Sequence, residues 1–258
     1  MIRAWLDLSP FGIFVSLGVL YFGTVLLLGM VAFRSPLARP VQSLNGIVAP
    51  FFNASAVLFA LLAGFLANDV GDRSRQANRA MQTEAGELRN VYTLSVASLS
   101  DMAAIRTAWK AYVNSVITDE WPAMAQGHES PRTSAAYDEM LNKISDPGNA
   151  RASGAAVHAA ILNAAVRAGN ARNERLALAS DHTNDLKWIV VIVLGLITLV
   201  SIGLVHLERP RAFMTALTVF ATAAVITLGF VALQEYPFYG AFRLSPGPLE
   251  ALRALGGT

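Results

Sequence analysis

Four stretches of the chain hold enough consecutive apolar residues to cross a bilayer, and between the second and third the pattern changes to a helical alternation of apolar and polar positions. A helix needs about 20 apolar residues to span the hydrocarbon core. The first stretch, 11–33, is opened by Pro10 and closed by Arg34. The second runs from about residue 47 to 67 and stops at Asn68-Asp69. The third, 188–205, follows Lys187, and the fourth, 212–233, follows Arg209-Pro210-Arg211. None of the four contains Asp, Glu, Lys or Arg. Pro50 suits a first helical turn.

Between Met81 and Val116, apolar positions fall at 81, 85, 88, 92, 96, 99, 102, 105, 109, 112 and 116, a mean step of 3.5 residues. That is close to the helical period. Ser98-Leu99-Ser100-Asp101 resembles an N-cap with an acid three residues on, so the stripe reads as two helices. Trp121-Pro122 and residues 126–133 form a turn, a short helix covers about 135–144, and Asp146-Pro147-Gly148 breaks the chain. Residues 150–179, rich in alanine, form a long helix leading back to the membrane. The pattern predicts an all-α membrane protein with four spans and a helical domain outside the membrane. Its parts are an N-terminal hairpin (1–67), the domain (68–185), a second hairpin (186–233) and a short tail (234–258).

Composition supports this. Hydrophobic residues make up 54% and charged residues 15%, with a mean hydropathy of +0.44, against about 25% charged in a typical soluble domain. The first apolar run is too long for a signal-peptide core and ends in Phe33-Arg34-Ser35-Pro36 rather than at a small-residue cleavage site, so it reads as a retained span. Residues 68–185 carry 12 Lys/Arg and 14 Asp/Glu; the rest carries 8 and 4. No basic run stands out, which argues against nucleic acid as a partner. With four spans, both termini and the domain share one side. The short loops hold Arg34, Arg39, Arg209 and Arg211. The opposite side holds Arg3, Arg73, Arg75, Arg79, Arg172, Arg175, Lys187, Arg243 and Arg253 near the membrane. This bias predicts a cytoplasmic domain and cytoplasmic termini, with the bacterial inner membrane as the location.

There is no cysteine, hence no disulfide, thiolate nucleophile or thiolate metal site. His128, His158, His182 and His206 show no pair at i, i+4. No phosphate-binding loop or nucleophile elbow is present, and no enzyme, metal or cofactor is expected. Intramembrane charges usually mark proton relays and coupled transport; their lack here argues against a proton-driven pump but leaves passive permeation open.

The second span is the most informative. Ala56, Ala60 and Gly64 repeat at i, i+4, a small-residue face of the kind that lets helices approach closely. Phe51, Leu58, Leu62 and Phe65 project from roughly the opposite side. Either the small face packs inside the bundle while the bulky face meets lipid, or the bulky face lines an apolar constriction. Asn53 suits an interhelical hydrogen bond or, less simply, an ion contact. In the domain, Arg79, Glu84, Glu87 and Arg89 suit a solvated, salt-bridged helix face or an ion-selecting vestibule. Glu120-Trp121-Pro122 reads as a core plug at a helix end or as a docking point. Tyr236-Pro237-Phe238 resembles an interfacial aromatic anchor.

The order of these elements resembles a known family. Two spans precede Arg79, Glu84-Ala85, Leu88 and Tyr92; then come Ile105-Arg106, Tyr112 and Asp119-Glu120-Trp121-Pro122, two more spans, Pro237-Phe238, Gly240 and Ser245-Pro246. Across roughly residues 11–255 this resembles the bestrophin-like membrane proteins, most specifically in Glu-Trp-Pro and Pro-Phe-x-Gly. The resemblance implies a homo-oligomer, a pentamer by preference, that conducts chloride or other small anions. It also implies a phenylalanine-bearing neck on span 2 above a helical cytosolic vestibule. Phe51, Phe52 or Phe59 then become neck candidates, and Asn53, Leu58, Leu62 and Phe65 further lining candidates. Arg79, Glu84, Glu87, Glu120 and Trp121 become vestibule candidates. The acidic calcium-binding cluster of animal bestrophins has no counterpart, since no acidic run follows the fourth span, so calcium gating is not expected. The alternative is a membrane sensor or scaffold whose helical domain binds a partner or ligand without transport. Receptors of that type continue into an output domain that the tail is too short to provide.

Overall fold

The structure, a computed structural model, describes residues 2–44, 46, 50–98, 100–181 and 183–255, apart from the side chain of Phe51. Among these residues every regular element is helical: α1 (Ile2–Leu6), α2 (Pro10–Phe33), α3 (Ala38–Gln42), α4 (Pro50–Ala97), α5 (Ala103–Ser115), a π-helical turn (Val116–Glu120), α6 (Trp121–Met124), α7 (Pro131–Ser145), α8 (Pro147–Ser153), α9 (Ala155–Ser180), α10 (Asp185–Val205), α11 (Pro210–Ala232) and α12 (Gly247–Leu255). Four of them, α2, the first part of α4, α10 and α11, are long and apolar enough to cross a membrane. The chain divides into two compact units, 1–72 with 183–235 and 73–182 with 236–258.

The membrane unit is built on α2, whose Ile13, Leu17, Tyr21 and Val25 are buried at four-residue steps and face α10 and α11. Its chain ends are set by short polar caps. Ser9 Oγ accepts the Gly12 N–H at 3.2 Å before α2, and Asn184 Oδ1 accepts the Leu186 N–H at 2.9 Å before α10. Close approach depends on glycine at specific crossings. A Cβ at Gly229 would lie 2.3 Å from Phe14 Cε1, and one at Gly195 2.2 Å from Tyr21 Oη. Lipid tails are as apolar as leucine, so spans associate by such fitted contacts rather than by hydrophobic transfer. Glu235, buried just after α11, accepts the Thr183 N–H at 2.8 Å and the Trp188 Nε1–H at 3.3 Å.

The second unit has the core expected of a water-soluble helical bundle. Met81, Leu88, Val91, Ile105, Trp109, Tyr112, Val116, Met140, Ile144 and Ile161 form one buried cluster. The tail joins it: Leu249 and Leu252 of α12 are fully buried there, so the segment set apart in the sequence as a short tail closes the domain's own core.

Three expectations on local structure change. The second apolar run ends at Asn68-Asp69, but the helix continues unbroken to Ala97. Polar residues end lipid compatibility, not helix formation, and Arg, Gln, Ala, Met and Glu downstream favour helix. The start assigned to this span, residue 47, lies outside the described residues. The break near residue 100 is present, with Leu99 outside the described residues. Met102 rather than Ser98 is the N-cap residue, and Oδ1 of Asp101 just before it accepts the Ala103 N–H at 2.9 Å. Pro147 and Gly148 open a seven-residue helix, capped by Asp146, and Gly154 at φ 81° separates it from α9.

Candidate functional site

Two features stand out: the face of α4 that its own chain leaves open, and a four-charge cluster inside the domain.

Over the membrane-spanning part of α4, Phe59, Ala63, Leu66 and Val70 are buried at steps of three and four. The remaining circumference is open. Val57, Leu58, Leu61 and Phe65 are about half exposed or more, and Asn53, Ala60 and Gly64 are exposed beside them. Phe52 and Leu62 sit at the edge, half-buried; the Phe51 side chain lies outside the described residues. Two expectations need correction. Phe59 does not lie on the open face with Leu58 and Phe65. It is turned into the bundle against Phe220, ring centroids 5.4 Å apart, and against Gly195. The small residues do not pack inside the bundle either, since a Cβ added at Gly64 would meet nothing within 4 Å. The physical reason is the position of the packed stripe: it falls between the small and bulky faces and leaves both outside.

Where this part of α4 meets the start of α10, an apolar groove of about 450 Å³ is lined by Leu62, Phe65, Leu66, Leu186, Val190 and Val191. Lys187 Nζ donates to Asp69 at its rim.

In the domain, Glu84 on α4, Glu120 at the end of the π turn, and Arg172 and Arg175 on α9 are all buried. Arg175 donates from Nε to Glu84 Oε2 at 2.7 Å and from Nη2 to Glu84 Oε1 at 3.1 Å and to Glu120 Oε1 at 2.7 Å. Arg172 donates from Nε to Glu120 Oε2 at 3.0 Å and from Nη2 to Glu120 and to Ser134 Oγ. Tyr112 Oη donates to Glu84 Oε1 at 2.8 Å, and the Arg175 guanidinium lies 5.6 Å from the Trp121 ring centre. Two carboxylates face two guanidinium groups, so the cluster is neutral as a whole. Burial pulls the Arg175 guanidinium down, but Glu84 and then Glu120 outweigh it and hold it above its usual value. Burial likewise pushes the Tyr112 phenol well up, with Glu84 adding to the shift.

The π turn aims Glu120 inward. Pro122 has no N–H and its ring crowds the carbonyl four residues back. A turn widened by one residue relieves this, with the Trp121 N–H bonded to Val116 O. Such turns are frequent at functional sites. Glu84 is therefore not on a solvated helix face but buried and paired, and Glu120 is buried with it. Glu87 keeps the solvated reading, paired with Arg167 at 2.8 and 3.0 Å, and Arg79 is exposed. Trp121 is half-buried and packs edge-on to Phe238, centroids 5.5 Å apart, in line with the core-plug reading. Arg172, Arg175, Tyr112 and Ser134 were missed as site residues. A signal existed: Ile161, Ala164, Ala165, Ala168, Arg172 and Arg175 share one buried stripe of α9, so the two arginines lie in phase with the core.

The family model for the bestrophin-like domain matches residues 19–249 of this sequence. The chain belongs to the bestrophin-like family. Two solved structures of a bacterial bestrophin homologue from Klebsiella pneumoniae are similar in fold. One, of a single-residue variant, is 14% identical with a TM-score of 0.72, covering 94% of this chain and 97% of that one. Another is 13% identical with a TM-score of 0.68, covering 91% and 96%. No curated protein sequence matches the chain. Bestrophin-like membership makes this an integral membrane protein and supports, at the level of the family, an ion channel rather than an enzyme.

Proposed function

We propose that this bestrophin-like protein is a homopentameric channel for passive permeation of chloride or other small anions, with α4 lining a shared pathway. The reading is carried by the open face of α4, where Leu58, Leu61 and Phe65 are bulky, apolar and unpacked while Ala60 and Gly64 beside them admit close approach of another helix. Several copies arranged about an axis would cover the small face and turn the bulky one inward, giving an apolar constriction that gates by dewetting. Leu58, Leu62 and Phe65 are the lining residues assigned by this reading, with Phe52 and Asn53 toward one end. Phe59 supports the wall from behind.

The test is the subunit count of the detergent-purified protein by native mass spectrometry, followed by halide flux in liposomes. A pentamer whose flux changes in Phe65→Ala and Leu58→Ala is expected. A stable monomer or dimer would remove the shared pathway and leave the domain as a partner-binding module. The orientation proposed, domain and termini in the cytoplasm of a bacterial inner membrane, is checked by cysteine labelling. The chain has no cysteine of its own, so Ser43→Cys is expected to react with an impermeant maleimide on intact cells and Ala150→Cys is not.

A further inference from the structure

The membrane unit has six Lys/Arg and six Asp/Glu in residues 1–72 and 183–235, but they are sorted by end. At the end bearing α1 and the start of α10 are Arg3 and Lys187 with Asp7, Asp69, Asp72, Asp185 and Glu235. There the cations are paired: Lys187 with Asp69, and Arg3 with Asp185 at 3.8 Å. At the short-loop end are Arg34, Arg39, Arg209 and Arg211, with Glu208 as the lone acid. All four arginines are exposed, and among the described residues none has an ion pair.

These arginines share one patch. Phe33, next to Arg34, meets Phe213, two residues past Arg211, edge-on with centroids 5.1 Å apart. Gln42 Nε2 donates to Ala32 O at 3.1 Å, which folds α3 and its Arg39 back onto the end of α2. Exposed Leu37 and Leu44 flank Arg39. Arg34 follows the last residue of α2, and Arg209 and Arg211 bracket the first residue of α11. Two helices long enough to span the bilayer thus end at this patch, which puts the guanidinium groups at the depth of lipid phosphates. The guanidinium fork matches a phosphate in a bidentate way that a lysine does not, and exposed leucines beside it suit the glycerol and upper acyl region.

We propose that the short-loop end of the membrane unit is a binding surface for anionic phospholipid headgroups, of the phosphatidylglycerol class. The inference is independent of whether the protein conducts.

The experiment uses the full chain in detergent, supplied with equal phosphatidylglycerol and phosphatidylcholine, and reads retained lipid by native mass spectrometry. The wild type is expected to retain phosphatidylglycerol in preference. R34Q/R39Q/R209Q/R211Q is expected to lose that preference with helical circular dichroism unchanged, while R3Q/K187Q, at the opposite end, keeps it. If the quadruple variant misfolds, R39Q/R211Q decides, with a reduced preference expected. Equal retention of the two lipids by the wild type, or an undiminished preference in folded arginine variants, overturns the proposal. So does displacement of the bound lipid by inorganic phosphate at matched concentration, which would make the patch a free-anion site.

Discussion

The two units handle charge in opposite ways. The membrane unit keeps Lys and Arg at its ends and fills its interior with aromatic rings set against glycine, such as Tyr21 on Gly195 and Phe14 on Gly229. The domain does the reverse and encloses Glu84, Glu120, Arg172 and Arg175 among its helices. The difference follows from the solvent. Water outside the domain lets apolar burial drive folding, and that surplus supports a cluster whose desolvation is expensive. With lipid outside, no such surplus exists, and fitted contact takes its place.

The largest effect is expected from breaking the domain's cluster. Removing one partner of a buried ion pair costs about 3–5 kcal/mol because the other charge is left uncompensated. Arg175→Ala strands Glu84, whose only cationic partner among the described residues it is, and leaves Glu120 to Arg172 alone, so chemical denaturation of the purified protein should register a loss of that size. Tyr112→Phe removes one hydrogen bond to a charged group, worth about 1.5–3 kcal/mol, and should fall below it. Equal losses for the two variants would show that Arg175 matters for its packing and not for its charge.

The next effect tests the fitted contacts of the membrane unit. Gly195→Ala places a methyl 2.2 Å from Tyr21 Oη, and overpacking of this kind costs about 1–3 kcal/mol. Gly64→Ala has open space around it and should leave the folding of the single chain unchanged. Its effect is expected in the subunit count, where an added methyl would hinder close approach between copies. Thermal melts and native mass spectrometry on both variants separate the cases. A destabilised Gly64→Ala with an unaltered subunit count would argue that the small face packs within the chain after all.

How much of this was legible in the sequence differs between the units for the same reason. Uncharged runs of 18 residues or more have few soluble alternatives, so the spans and the family could be read from residue order. The facing of span 2 was not legible. Its apolar residues occupy the whole circumference, and only the three-dimensional neighbours Phe220 and Gly195 select Phe59 as the packed ring. The charge cluster was half legible. Glu84 lies one turn from Met81 and Leu88 on the apolar stripe, a signal for burial that the neighbouring Arg79 and Arg89 obscured. Arg172 and Arg175 sit among alanines, whose weak hydrophobic contrast hides the phase of α9. Pro122 announces a helix irregularity, but not that the turn widens and aims Glu120 inward.

The smallest effect concerns the domain's exposed pair. The hydrogen bonds from Arg167 hold the Glu87 carboxyl below its ordinary value. A group with a depressed folded-state pKa contributes stability that is present above its unfolded value and is lost as pH falls through the folded one. Arg167→Gln should therefore melt marginally below the wild type near neutral pH, and the gap should close in acid once Glu87 is protonated. Added salt should shrink the neutral-pH gap too, because exposed pairs are screened. The cluster around Arg175 is shielded from solvent and should respond to salt far less. A gap for Arg167→Gln that persists in acid and in salt would mean that the arginine acts through its apolar stem lying on the helix surface and not through its charge.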